Sequence, residues 1–257
     1  MGANFDAMRK ARKVLAEFEY EPVTLDRGYA NRWLYVNVGT REFRTEPVTQ
    51  QMKDLFTGGK GFDLWIMWHM VTEKTRWDSP ENVICISGGP LCGTTTFAGA
   101  GKALVTSISP TTGIPIDSNV GGHAGPFLKV AGFDALCLQG KAERDVVLFL
   151  DARNHRITLE EAPLDPVDSV ECAHTYHRMY AEHDDDFQHI SVISSGRAAE
   201  HTLIGCLNFS FWDQRRREPR LKQAGRGGIG TVFRNKKIKA VVLRVDECRP
   251  TWTITQD

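Results

Sequence analysis

Apolar residues run through this chain in short stretches separated by turns rich in glycine, proline and asparagine. Trp33 to Val38 and Glu42 to Glu46 flank Gly39-Thr40 and predict a hairpin that Pro47 ends. Val146 to Leu150 and Arg156 to Leu159 predict a second hairpin around Arg153-Asn154. Further strands are expected at Val83 to Ser87, Lys102 to Ser107 and Thr202 to Asn208. Thr49 to Phe56 predicts a short helix stopped by Gly58-Gly59. Gly61 to Val71 predicts a helix that is apolar nearly all round, so it is either central or covered by another subunit. Asp168 and Glu171 have the spacing of a capping box for a helix running to about His183. Residues 1–19 read as an added helix, and Phe211 to Gly225 as a polar loop.

One stretch occurs twice. Ser118 to Leu138 reads as a glycine turn, a short helix and an apolar strand. The same order returns at Gly227 to Leu243, at an offset of about 105 residues. Gly122 then matches Gly227, Gly125 matches Gly230, and Ala135 matches Ala240. The preceding strands align as Val83–Gly88 with Ser191–Gly196. The repeat predicts an internal duplication with two similar anion seats. Glycine lacks Cβ, so backbone amides can approach an anion, and the following helix aims unsatisfied N–H groups at it. The plainer alternative is that these glycines only tighten turns. Hairpins mixed with helices, without strict strand–helix alternation, argue for an α+β fold of duplicated strand, glycine loop, helix and strand rather than a doubly wound sheet.

At 257 residues the chain is long enough for a sizeable core. Lys and Arg total 32, as do Asp and Glu, and a net charge of zero argues against a nucleic-acid partner. No apolar run reaches the length of a membrane span, and the N-terminus lacks the apolar core of a secretory signal. Six scattered cysteines without a C-x-x-C pair suit a reducing compartment, the cytoplasm, and argue against a metal cluster held by this chain alone.

Candidate chemistry lies mainly in Arg215, Arg216, Arg217, Arg220, Lys222 and Arg226, which lead into Gly227-Gly228. Cations beside exposed amides suit a diphosphate; a solvated loop is the alternative. His174, His177 and His183 near Cys172 form a ligand-like cluster that a polar helix face explains equally well. Asp117 and Asp134 are acid–base candidates without a base at a telling spacing. Gly99-Ala100-Gly101-Lys102-Ala103 does not make a P-loop.

Several segments together carry a family resemblance. They are Gly58-Gly59-Lys60-Gly61, Ser79-Pro80-Glu81-Asn82, Gly89-Pro90-Leu91-Cys92-Gly93-Thr94, Ser109-Pro110-Thr111-Thr112-Gly113, Ser118-Asn119-Val120-Gly121-Gly122, Lys129-Val130-Ala131-Gly132-Phe133-Asp134-Ala135, Gly140-Lys141-Ala142-Glu143 and Ala224-Gly225-Arg226-Gly227-Gly228-Ile229-Gly230. In this order they resemble the N-terminal domain of the tungsten-dependent aldehyde:ferredoxin oxidoreductases. The resemblance covers residues 28–245, between an extension at 1–27 and a tail at 246–257. It implies a two-repeat base for a tungsten (or molybdenum) bis-pyranopterin. Asn119, Gly121, Gly225 and Arg226 would hold pterin or phosphate atoms, with Gly122 and Gly227 completing the loops. Lys102 and Lys222 stand where the family usually has Arg, which keeps the charge and loses the bidentate fork.

The family continues into helical domains that this sequence lacks. The resemblance therefore implies a partner chain carrying a [4Fe–4S] cluster and the acid–base residues, and a ferredoxin-type acceptor. The reaction implied is oxidation of an aldehyde to a carboxylate. Three alternatives stay open: a structural subunit without cofactor, a relative acting on aromatic acyl-thioesters, and a stand-alone binder of a phosphorylated small molecule.

Overall fold

A computed structural model describes residues 5–95, 97, 99–162, 168–225 and 227–246. An N-terminal arm consists of α1 (Phe5–Lys10) and β1 (Val14–Glu19). The first half then contains β2 (Arg32–Asn37), β3 (Glu42–Pro47), α2 (Gln50–Phe56), α3 (Lys60–Met70), β4 (Ile84–Ser87), β5 (Ala103–Ile108), β6 (Pro115–Val120), α4 (Ala124–Val130) and β7 (Ala135–Gln139). The second contains β8 (Val146–Asp151), β9 (Arg156–Glu161), α5 (Ser169–Tyr180), β10 (Ile190–Ser194), β11 (Leu207–Asp213), β12 (Glu218–Ala224), α6 (Ile229–Asn235) and β13 (Ile238–Arg244). This is an α+β fold with two mixed sheets. Among the described residues, their strand orders are β3-β2-β7-β4-β5-β6 and β1-β9-β8-β13-β10-β11-β12.

Apart from β1, the two orders are the same. β2 pairs parallel with β7, as β8 does with β13, and each is flanked by its own antiparallel hairpin strand. The duplication therefore includes the hairpins, beyond the expected strand, loop, helix and strand. Register also corrects one alignment. Ser87 lies opposite Ala135, and Ser194 lies opposite Ala240. Ser87 thus corresponds to Ser194, one residue from the expected Ser195. A one-residue slip would turn inward side chains outward; as built, Ile86 and Ile193 both enter the central core.

Three expected elements differ. Val14–Glu19 is a strand added to the edge of the second sheet against β9, where a helix was expected. Leu15, Ala16 and Phe18 pack partly on the core there. The strand expected at Thr202–Asn208 begins at Leu207 and continues to Asp213. The expected polar loop is largely its hairpin partner β12. An outer strand carries charge on its exposed positions, and such a pattern resembles a loop.

The central core lies between the sheets. Leu34, Leu136 and Leu138 from one face Leu148, Phe209 and Val241 from the other, with Phe127 of α4 and Val232 and Phe233 of α6 among them. Met52, Phe62, Ile66 and Met67 from α2 and α3 cover the outer face of the first sheet. Only one side of α3 is buried, and Trp68 is 82% exposed. Tyr176, Met179 and Tyr180 of α5 cover the second sheet. Asp168 caps α5 by accepting from the Glu171 amide at 2.8 Å.

Both inner helices carry a fully buried cation. Lys129 bonds Asp134 and the Gly28 carbonyl; Arg234 bonds Asp145, Glu200 and the Ile238 carbonyl. Asp134, whose two oxygens also accept from the Ala30 and Asn31 amides, is thereby a structural anchor.

Close backbone approach holds the second half together at Gly230, where an added Cβ would lie 2.2 Å from the Cys206 carbonyl oxygen. Gly230→Ala is expected to lower stability by about 1–3 kcal/mol, because the Cys206 carbonyl in the way is backbone and cannot swing aside. Urea unfolding would read this as a lower midpoint at unchanged slope.

Candidate functional site

The edge strands β6 and β12 run beside each other where the two sheets meet. Asn119, near the end of β6, is exposed. Gly121 follows. A Cβ built on Gly121 would lie 3.5 Å from Cγ of Lys222 and 3.9 Å from Nζ of Lys102. Lys102 precedes β5 in the first half, and Lys222 belongs to β12 in the second. Side chains from different halves thus meet over a residue that has none, Lys102 through its ammonium and Lys222 through its stem. Both lysines are exposed, and neither has a carboxylate partner among the described residues. Lys222 Nζ also lies 5.4 Å from the centre of the Phe211 ring.

The matched glycines divide into two kinds. Gly122 has φ 91°, and its Cβ would meet Phe209 and the Ser210 carbonyl at 3.1 Å. Gly227 has φ 71°, and its Cβ would lie 2.2 Å from Cδ1 of Ile116. These positions are filled by the opposite half, so their glycines permit turns to pack. Gly121 and Gly225 keep open surroundings; at Gly225 the nearest atom is Gln223 Cβ at 3.7 Å. Strand register makes those two equivalent, since Leu104 pairs with Asn119 and Asn208 with Gln223. Arg226 lies outside the described residues.

The arginine run is not gathered at the glycines. Arg215, Arg216 and Arg217 occupy the turn before β12, and Arg220 is tied to Glu218 at 3.2 Å. Lys222 is the described member of the run that reaches Gly121.

Behind the first glycine turn lies a polar support that the sequence reading did not assign. The His123 amide donates to the Ser210 carbonyl at 3.1 Å, and Ser191 Oγ donates to the same oxygen at 2.8 Å. Ser210 Oγ accepts from the Val192 amide at 2.7 Å and lies 2.8 Å from His177 Nε2. Because Ser210 Oγ already accepts, its proton is available to the imidazole nitrogen. His177 is fully buried, and burial pushes its pKa down to about 3. Its ring is a neutral internal strut rather than part of a polar helix surface. Burial also lowers the His123 pKa, and His123 Nδ1 is buried without a hydrogen-bond partner among the described residues. The adjacency of His123 to the glycine pair was the available sequence signal; the partner across the fold was not. Asp117 pairs with Lys60 at 2.6 Å. Cys85, Cys92, Cys137 and Cys172 are buried free thiols, and Cys206 is half-buried.

Twin sheets meeting at a glycine-lined, cationic edge define a duplicated α+β base. Residues 33–245 match the family described as aldehyde ferredoxin oxidoreductase, N-terminal domain, and the chain belongs to that family. It is 30% identical over 219 residues to a tungsten-containing aldehyde ferredoxin oxidoreductase of Pyrococcus horikoshii, covering 84% of this chain and 33% of the relative. The corresponding Pyrococcus furiosus protein is 27% identical over 231 residues, covering 87% and 34%. The chain therefore spans about a third of the length of these relatives. A solved structure, the active-site complex BamBC of benzoyl coenzyme A reductase with 1,5-dienoyl-CoA, superimposes with TM-score 0.72 and 26% identity. That match covers 84% of this chain and 31% of the other.

The His177 strut sets an acid dependence. Its folded pKa is depressed, so its contribution is present above the unfolded value of about 6.5 and is lost as pH falls towards 3. Between pH 7 and 4.5 this group alone costs about 2 kcal/mol. His177→Gln is expected to flatten that part of the stability–pH curve, as read by urea midpoints at the two pH values.

Proposed function

We propose that this chain is the pterin-cofactor-binding subunit of a tungsten (or molybdenum) oxidoreductase. The convergence of Lys102 and Lys222 over Gly121 carries the reading. A phosphate held there meets two positive charges and a backbone open to close approach. The exposed Asn119 carboxamide can donate to the same group, and the partnerless His123 Nδ1 supplies another polar atom beside the turn. These residues fit an anionic cofactor. Gly122 and Gly227 hold the turns in place, while Gly225 and Arg226 belong to the second seat. When bound, the cofactor supplies two-electron redox chemistry at its metal. The residues of this chain bind and orient it by charge and position.

The reaction this supports is oxidation of an aldehyde to a carboxylate, with a ferredoxin-type acceptor, in the cytoplasm. In this reading a helical partner chain supplies the [4Fe–4S] cluster and the acid–base residues. A second reading, action on an aromatic acyl-thioester, is favoured by the likeness to the benzoyl coenzyme A reductase complex.

The test is metal and pterin analysis of the chain purified with its native partners. Wild type is expected to hold tungsten or molybdenum together with pterin. The Lys102→Ala, Lys222→Ala double variant should lose about 10-fold or more of both, as expected when two charge-assisted contacts go. Full retention in that variant would overturn the assignment of the seat. Absence of metal and pterin from wild type would leave a structural subunit.

A further inference from the structure

The arginine turn lies a whole strand away from the glycine seam. Two adjoining cavities, of about 460 and about 270 Å³, open beside it. Arg178, Arg217, Trp212 and Phe187 line both. The Trp212 and Phe187 rings lie 5.0 Å apart and form an aromatic wall. Arg178 and Arg217 are exposed, and neither has a carboxylate partner among the described residues.

Neighbouring carboxylates are already engaged. Glu182 pairs with Arg244 at 2.8 Å and Glu218 with Arg220 at 3.2 Å, leaving Asp184 as the other acid of the walls. The C-terminal end of α5 would ordinarily repel an anion. Here Arg9 donates to the Arg178 and Met179 carbonyls at 2.6 and 2.7 Å and offsets that end. The fold itself does not require the cations. The equivalent hairpin turn of the first half, Ser109-Pro110-Thr111-Thr112-Gly113, carries no charge.

We propose that this groove is a second anion-binding site that takes a nucleoside phosphate. The phosphate lies between Arg178 and Arg217, whose forked guanidinium groups match phosphate oxygens. The flat base lies along Trp212 and Phe187. The larger cavity, about 460 Å³, falls in the range of small-molecule sites, about 300–1,000 Å³. The length of β12 puts the groove roughly 20 Å from the glycine seam. It is therefore independent of the cofactor reading.

Calorimetric titration of ADP into the chain with its native partners tests this. Saturable binding is expected, weakened about 10-fold or more by Arg178→Gln and by Arg217→Asn. Arg217 has φ 54°, and Asn tolerates that left-handed conformation, so the turn survives the change. Pyrophosphate and adenosine should each bind more weakly than ADP, because each keeps one half of the contacts. The proposal is overturned if ADP does not saturate, if both arginine variants bind as wild type, or if pyrophosphate matches ADP. It is equally overturned if Lys222→Gln, rather than the arginine variants, removes the binding, which would locate ADP at the glycine seam.

Discussion

The structure depends on a crosswise contact between its two halves. The turn at Gly122 packs on β11 of the second half, and the turn at Gly227 packs on Ile116 of β6 in the first. Both glycines have left-handed φ, and an added Cβ would press on β11 at 3.1 Å in the first contact and on Ile116 at 2.2 Å in the second. Together they hold β6 beside β12 and bring Lys222 to Gly121. The site is thus a product of how the halves pack, since its two lysines arrive from opposite sheets.

Charge is used in two ways. Lys129 and Arg234 are buried and fully bonded, at the same position of α4 and α6. Removing a partner from such a cation leaves an uncompensated charge in a low-dielectric interior, so these pairs specify how the helices sit. Lys102 and Lys222 remain in water, where holding two like charges near each other costs little. They are available to a ligand because the fold does not consume them. Ser210, His177 and Ser191 contribute differently: they fix the strand behind the turn with neutral hydrogen bonds, and the seat keeps its shape without adding charge to it.

Much of this organisation was legible in the chain. The duplication, both hairpins, α2, α3, α5 and the equivalence of Ala135 and Ala240 followed from periodicity and glycine spacing. Val14–Glu19 did not, because a short amphipathic edge strand and a short helix share the same apolar count. The charged β12 resembled a loop because its solvent-facing positions hide its alternation. His177 resembled a surface histidine because the strand that buries it lies 33 residues away. The lysine pair was named from motif positions, whereas its convergence needed coordinates, since no local pattern relates residues from different sheets.

Duplication also shows which features the fold demands and which were added. Gly122 and Gly227, Ala135 and Ala240, and the cations of α4 and α6 recur in both halves, and each has a packing or pairing role. Lys102 corresponds by register to Cys206, which is neutral and half-buried. The turn of residues 213–217 is cationic, while its counterpart at 109–113 is uncharged. α3 stands on the first sheet with Trp68 exposed, and α5 stands on the second with a different apolar face. The cationic differences between the halves cluster at two separate surfaces, Lys102 at the glycine seam and the turn of residues 213–217 at the far end of β12.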